Sequence, residues 1–356
     1  MEKKYIIFRP NGRLANALFR YFACAIIAIK TGFEFILEED SKEEDYIFYH
    51  GLDQIDNDIA YMPTDNINLL KHSANLRSDI AGFNTLGYFK SYIDINKLES
   101  NAYINKNSQH GIYVKNVLNI NDHNFINFID NIEKNDISIK TNIIMDGYFQ
   151  FDNILNKYKN DILTYIEKNK HNHYIKTCTY NQILSNNHKK ILINDIIDDS
   201  NLDISKFYDI AIHIRLGDFV DKDDFIKFEY LEKLFETIDF TDKNIAIIVE
   251  KPENEHDINY LKSCLEWFKN KNIEINLETN DLLTDFHIMK NAKVLICCMS
   301  TLSWCAAYLS KKIETCYMPK YNFEGTGRKT SFKKPIENTI FYVGVGNPGS
   351  PTTPPF

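Results

Sequence analysis

The chain has 356 residues, a formal net charge of −8 and 25% charged residues, with acidic and basic side chains mixed along its length. Such a length suggests two domains of about 100–200 residues each, and the mixing leaves no basic stripe for a nucleic-acid backbone and no polybasic tract for a membrane surface. The 7 cysteines form an odd set without a CxxC pair or a paired histidine spacing. That pattern indicates neither a zinc site nor a disulfide framework, and points to buried thiols in a reducing, cytoplasmic setting.

Taken in chain order, Tyr5 to Arg9 reads as a first strand, Pro10-Asn-Gly-Arg-Leu-Ala15 as a turn, Asn16 to about Lys30 as a helix and Phe33 to Glu38 as a second strand. The apolar run from Ala17 to Ile29 carries Arg20 and falls short of the roughly 20 residues that a membrane span requires. A buried helix, and no transmembrane segment, is the expectation. Residues 60 to 135 are rich in Asn and Asp and show few clean periods, and 136 to 200 read as mainly helical and irregular. From residue 209 the rhythm is regular. Strand-like runs at Asp209 to Arg215, Asn244 to Glu250, Ile273 to Leu277, Lys293 to Cys298 and Glu314 to Met318 alternate with helical patterns near 225–238, 256–270, 281–290 and 301–311. Strand then helix, repeated, implies right-handed crossovers and a parallel sheet covered on both faces. The expected fold class is α/β: an N-terminal α/β domain over 1–200, a Rossmann-like domain over 201–345, and a disordered Pro-rich tail over 346–356.

Three places carry chemistry. At the end of the strand Asp209 to Arg215, a period of two puts His213 and Arg215 on one face, and Gly217 allows a turn that presents Asp218 beside them. Ligands of open α/β sheets bind at the carboxyl ends of strands, and the chain has 6 arginines among its 41 basic residues, which makes Arg215 a poor generic surface cation. Its planar, always charged fork suits a diphosphate. The alternative is a hydrogen-bonded core histidine and a structural Arg215–Asp218 ion pair. In the first turn, Gly12 allows close approach to a ligand and Asn16 offers both a donor and an acceptor, or else Asn16 caps the helix. In the second half, Ser300, Thr301 and Ser303 open a helix where hydroxyls and free amides hold a phosphate or simply cap it.

Together and in order, Gly12-Arg-Leu-Ala-Asn16, Gly147-Tyr-Phe-Gln150, His213-Ile-Arg-Leu-Gly-Asp-Phe219 and Asp285…Met289…Ser300-Thr-Leu-Ser-Trp304 resemble the bacterial-type α-1,2-fucosyltransferases, glycosyltransferase family 11. The resemblance implies a GT-B-like fold of two Rossmann-like domains facing a cleft, with an acceptor-side N-terminal domain and a GDP-sugar-binding C-terminal one. It further implies GDP-fucose as donor, a glycan acceptor, commonly the 2-hydroxyl of a galactose, no cofactor and no metal ion, and inversion at the anomeric carbon. Arg215, His213 and Asp218 are then the expected catalytic set. Gly12, Asn16, Asp285, Ser300 and Thr301 are the expected donor contacts, with Asp285 on the base or ribose. The chain departs from the family pattern at Ala15 and Ala17, at Leu216 where a second Arg is usual, at Met299 where Asn is usual, and at Val249-Glu-Lys-Pro252 in place of a Ser-Asp-Asp run. A catalytically weak sugar-nucleotide or glycan-binding protein, or a transferase for another GDP-sugar, is the alternative.

Overall fold

The computed structural model describes residues 4–8, 12–37, 46–75, 80–93, 97–100, 103–104, 109–115, 117–134, 142–177, 189–200, 202–217, 226–320 and 334–343. The chain divides into two units, one of residues 1–10 and 20–149, the other of residues 11–19 and 150–356. The expected boundary near residue 200 lies inside the second unit, and the expected tail over 346–356 lies outside the described residues.

The first unit holds β1 (Tyr5–Phe8), most of α1 (Leu14–Thr31), β2 (Glu34–Leu37), β3 (Tyr46–His50), β4 (Asp58–Tyr61), α2 (Ile67–Asn75), β5 (Gly82–Asn84), β6 (Tyr88–Lys90), β7 (Gly111–Lys115), β8 (Val117–Ile120), α3 (Phe125–Glu133) and β9 (Asn142–Met145). Four strands form a parallel sheet in the order β2-β1-β9-β8. α1 is long and apolar enough to cross a membrane by length and composition, but 78% of it is buried in the structure. Three strands from the stretch that showed few clean periods, β5, β6 and β7, join β3 and β4 in a five-stranded antiparallel sheet in the order β3-β7-β5-β6-β4. Its core is a small cluster of Tyr46, Phe83 and Phe89 under Leu70 and Ala74 of α2. Strands of three to five residues cannot establish an alternation of their own, so the sequence pattern missed them.

The second unit adds α4 (Asp152–Lys157), α5 (Lys159–Asn169), the antiparallel pair β10 (Tyr174–Thr177) and β11 (Lys189–Leu192), and α6 (Ile193–Ile197). Its main sheet is built from β12 (Ile210–Ile214), α7 (Phe228–Phe235), β13 (Ile245–Val249), α8 (Glu255–Asn270), β14 (Asn276–Glu278), α9 (Leu282–Asn291), β15 (Val294–Ile296), α10 (Thr301–Leu309), β16 (Thr315–Lys320) and β17 (Thr339–Val343). All six strands are parallel, in the order β14-β13-β12-β15-β16-β17. Counted within this sheet the order is 3-2-1-4-5-6, the doubly wound arrangement of a Rossmann fold. β12 and β13 are buried over their whole length, which is why they read as unbroken apolar runs instead of alternating ones. The sixth strand, β17, was not expected. It carries Thr339, Ile340, Phe341, Tyr342 and Val343, and Tyr342 donates its hydroxyl to the Cys297 carbonyl at 2.6 Å.

Candidate functional site

Strand order reverses between β12 and β15, and in open α/β sheets such a switch point opens a crevice at the carboxyl ends of the strands. His213 is the fourth residue of β12 and Arg215 follows its last. Beside them β15 runs through Cys297 and Cys298 into Ser300, the N-cap of α10. The two strand ends lie side by side because β12 pairs β15 in parallel, with Ile212 opposite Ile296, and burial pushes the Cys298 thiol up to about 12. Two of the expected elements, the β12 end and the α10 start, therefore meet at the switch point.

His213 is 6% exposed. Burial, assisted by the Arg215 charge, pushes its imidazole down to about 3, so the ring is neutral and has one N–H to offer. Its Nδ1 is buried with no hydrogen-bond partner among the described residues. A satisfied core histidine would not leave a ring nitrogen unpaired, because an unmade buried hydrogen bond costs about 1–3 kcal/mol.

Arg215 donates from Nη1 to Glu250 Oε2 at 2.9 Å. Asp218, the expected partner, lies outside the described residues, as do the aspartates at 221, 223 and 224. The corner after Arg215 is held by another carboxylate. Gly217 takes the left-handed conformation at φ 67°, and its N–H donates to Asp257 Oδ2 at 3.1 Å. Asp257 is buried in the first turn of α8, where its own N–H donates to the side chain of the N-cap Asn254 at 2.9 Å. Sequence reasoning missed Asp257 and Glu250. The signals were an Asn three residues before an Asp at a helix start, and a carboxylate at the end of the strand beside β12.

Ser300 accepts from the Leu302 amide at 3.2 Å, so it is a helix cap. The cap uses an oxygen lone pair and leaves the hydroxyl proton to donate, while the first turn of α10 keeps amides with no intrahelical partner. Thr301 is the first residue of that turn. Trp304 and Cys305 face the segment 11–19 within the same unit: Phe19 lies 4.8 Å from the Trp304 ring, and Cys305 Sγ is 3.9 Å from the Ala15 carbonyl. Asn16 is not the helix cap, because α1 already starts at Leu14 and the Ala17 amide donates to Arg13 O at 3.0 Å. Instead its side chain packs against Gly12, at φ 83°, and accepts from Gln150 Nε2 at 3.2 Å. Two motifs far apart in the chain therefore meet. The turn before Gln150 is set by Asp122, which accepts from Tyr148 N at 3.0 Å and Phe149 N at 2.6 Å, and by buried Arg20, which donates from Nε to the Gly147 carbonyl at 2.8 Å.

Asp285 belongs to a second hydrogen-bonded group, at the start of α9. It accepts from the Asn280 backbone N–H at 3.3 Å and from Asn280 Nδ2 at 3.0 Å, next to Glu278, whose carboxylate binds Lys206, Tyr208 and Asn280. Burial pushes the Asp285 carboxyl up to about 6, with the charges of Asp281 and Glu278 adding to it and the Asn280 bonds opposing. Its hydrogen bonds go to Asn280, and none joins it to Arg215, Ser300 or Thr301. Leu216 and Met299, at positions where the family pattern is polar, are buried in the core of the second unit.

No family model and no curated protein matches the chain. Among solved structures, a variant of Arabidopsis thaliana FUT1 in complex with GDP is similar to it at 11% identity and a TM-score of 0.40, over 86% of this chain and 68% of that one. POFUT1 in complex with GDP is similar at 14% identity and a TM-score of 0.32, over 88% of this chain and 96% of that one. A further POFUT1 structure, in complex with GDP-fucose, has 11% identity and a TM-score of 0.33, over 88% and 97%. At these TM-scores the likeness carries no weight of its own, and the α/β assignment rests on the strand order and connections.

Proposed function

We propose that the chain is a glycosyltransferase that takes fucose from GDP-fucose and places it on a hydroxyl of a glycan, the 2-hydroxyl of a galactose being the acceptor that the motif resemblance favours. The observation that carries this reading is the convergence, at the switch point of a 3-2-1-4-5-6 sheet, of Arg215, an unpartnered buried His213 nitrogen and the capped start of α10. Each of the three suits a diphosphate: a planar cation, a neutral N–H donor, and a helix N-terminus.

In this scheme the bond between the anomeric carbon and the β-phosphate oxygen breaks, with its electron pair passing to the diphosphate. Arg215 and the α10 amides stabilise that charge, and His213 donates its single N–H to the donor. The acceptor hydroxyl attacks the opposite face of the carbon and gives its proton to a base. Asp218 is the candidate for that base. Positive charge at the leaving group comes from protein groups, so transfer proceeds without a divalent metal and persists in excess EDTA. Complete loss on chelation, restored by manganese or magnesium, would recast the aspartates at 221, 223 and 224 as ligands.

The test is a donor screen with GDP-fucose, GDP-mannose and UDP-sugars, with and without a simple galactoside, read by released nucleotide and by transferred sugar. GDP-fucose is expected to be consumed with transfer to the galactoside. Binding of GDP-fucose without turnover by any acceptor would favour a sugar-nucleotide-binding protein, and turnover of another donor alone would replace fucose.

A further inference from the structure

β12 and β13 run parallel with Ile214 opposite Val249, so Arg215 and Glu250 are the first residues beyond the sheet on neighbouring strands. Their backbones hold them side by side whatever else is bound. The two partners of the resulting ion pair differ in freedom: the Arg215 side chain is 16% exposed and that of Glu250 is 79% exposed. The guanidinium is lodged in the protein, whereas the carboxylate stands in solvent and can turn away by rotation about its own side-chain bonds. Glu250 has no other ion-pair partner among the described residues. We propose that Glu250 fills the anion position of Arg215 in the unliganded protein and that a diphosphate binds by exchanging with it, so that Glu250 sets the affinity for the donor. The inference rests on the donor reading above.

Two other roles for Glu250 fit the geometry less well. A general base must reach the acceptor hydroxyl, which in an inverting displacement approaches opposite the leaving group. A carboxylate bound to the guanidinium that holds the diphosphate stands on the leaving-group side. A clamp that orients Arg215 would itself need fixing, and an exposed Glu with a single ionic contact is not fixed. Carboxylate and diphosphate oxygens instead compete for the same guanidinium N–H groups, because both present anionic oxygens that accept from them. The contest is mild: an exposed pair of this kind corresponds to roughly a two- to fivefold factor in a binding constant.

Calorimetric titration with GDP, inorganic pyrophosphate and guanosine tests the exchange. Glu250→Gln keeps the shape of the side chain and removes its charge, and its exposed position leaves the fold intact. The expected result is about a two- to fivefold tighter binding of GDP and pyrophosphate to Glu250→Gln, with guanosine, which has no phosphate, unchanged. On an Arg215→Ala background the same substitution should give no gain. Equal or weaker binding of GDP to Glu250→Gln, or a gain that survives without Arg215, would overturn the exchange and leave the donor reading standing. Failure of GDP to bind either protein would overturn both together.

Discussion

His213 lies within a strand buried along its entire length, and its imidazole is pushed down to about 3. In an unfolded chain a histidine titrates near ~6.5. Between those two values the unfolded chain takes up a proton that the folded one refuses, so stability is complete above about pH 6.5 and falls as the pH drops through the window. At about pH 5 the difference amounts to ~1.5 pK units, or roughly 2 kcal/mol relative to pH 7. Asp285 works in the opposite direction. Its carboxyl is pushed up to about 6, so the folded protein keeps a proton that an unfolded Asp loses near ~3.9. Its burial therefore costs stability at neutral pH, and acidification from about pH 7 to 5 recovers roughly 1.3 kcal/mol of it. In the wild type the two groups largely offset each other. His213→Gln removes the first and leaves the second. The variant should then gain roughly 2 kcal/mol relative to wild type when the pH is lowered from about 7 to 5, whatever its absolute stability. Urea denaturation of both proteins at the two pH values measures this double difference. If wild type and His213→Gln show the same pH dependence, His213 already carries a proton or is open to water, and its role as a neutral donor is wrong.

Arg215→Lys should fail nearly as badly as Arg215→Ala, with turnover lower by ~10²–10³, because an ammonium on a flexible stem does not present two parallel N–H groups to a diphosphate; steady-state kinetics of both variants read this directly. Gly217→Ala meets no atom of the described residues within 4 Å of the new Cβ, so its expected cost is backbone strain, about 1–2 kcal/mol by thermal or urea unfolding, and a neutral result would mean that the corner is not left-handed. Asp257→Ala leaves the Gly217 N–H and the Asn254 amide without their acceptor and should lower stability by about 1–3 kcal/mol together with activity. Asp257→Asn, which keeps an oxygen in place, should recover most of both, and equal losses in the two variants would show that charge, not the hydrogen bond to Gly217, is what matters.

The second half of the chain was legible because its central strands are buried over their whole length and its longest helix runs for 16 residues. Unbroken runs such as Ile245–Val249 next to the amphipathic Glu255–Asn270 leave little choice of element. The antiparallel sheet of the first unit was not legible, since Gly82–Asn84 and Tyr88–Lys90 are too short to show a period and owe their conformation to pairing. β17 was missed for a similar reason, being a five-residue strand whose place is fixed by its partner β16. The division of the chain could not be read locally at all. Residues 11–19 belong with a unit that otherwise starts at Gln150, and the pairs that show it, Phe19 with Trp304 and Asn16 with Gln150, are contacts between segments far apart in sequence. At the site, residue types were readable but partners were not. Arg215 and His213 stood out in the motif, whereas the carboxylates that touch this corner, Glu250 and Asp257, become neighbours only through the pairing of β12 with β13 and the start of α8.

On the proposed function, a nucleoside diphosphate binds at the ends of β12 and β15. A crystal structure of the protein with GDP tests it most directly. Diphosphate oxygens should lie within about 2.7–3.2 Å of the Arg215 guanidinium and of the first-turn amides of α10, with Glu250 turned away from Arg215. A diphosphate bound elsewhere on the protein, with the Arg215–Glu250 pair unchanged, would contradict it.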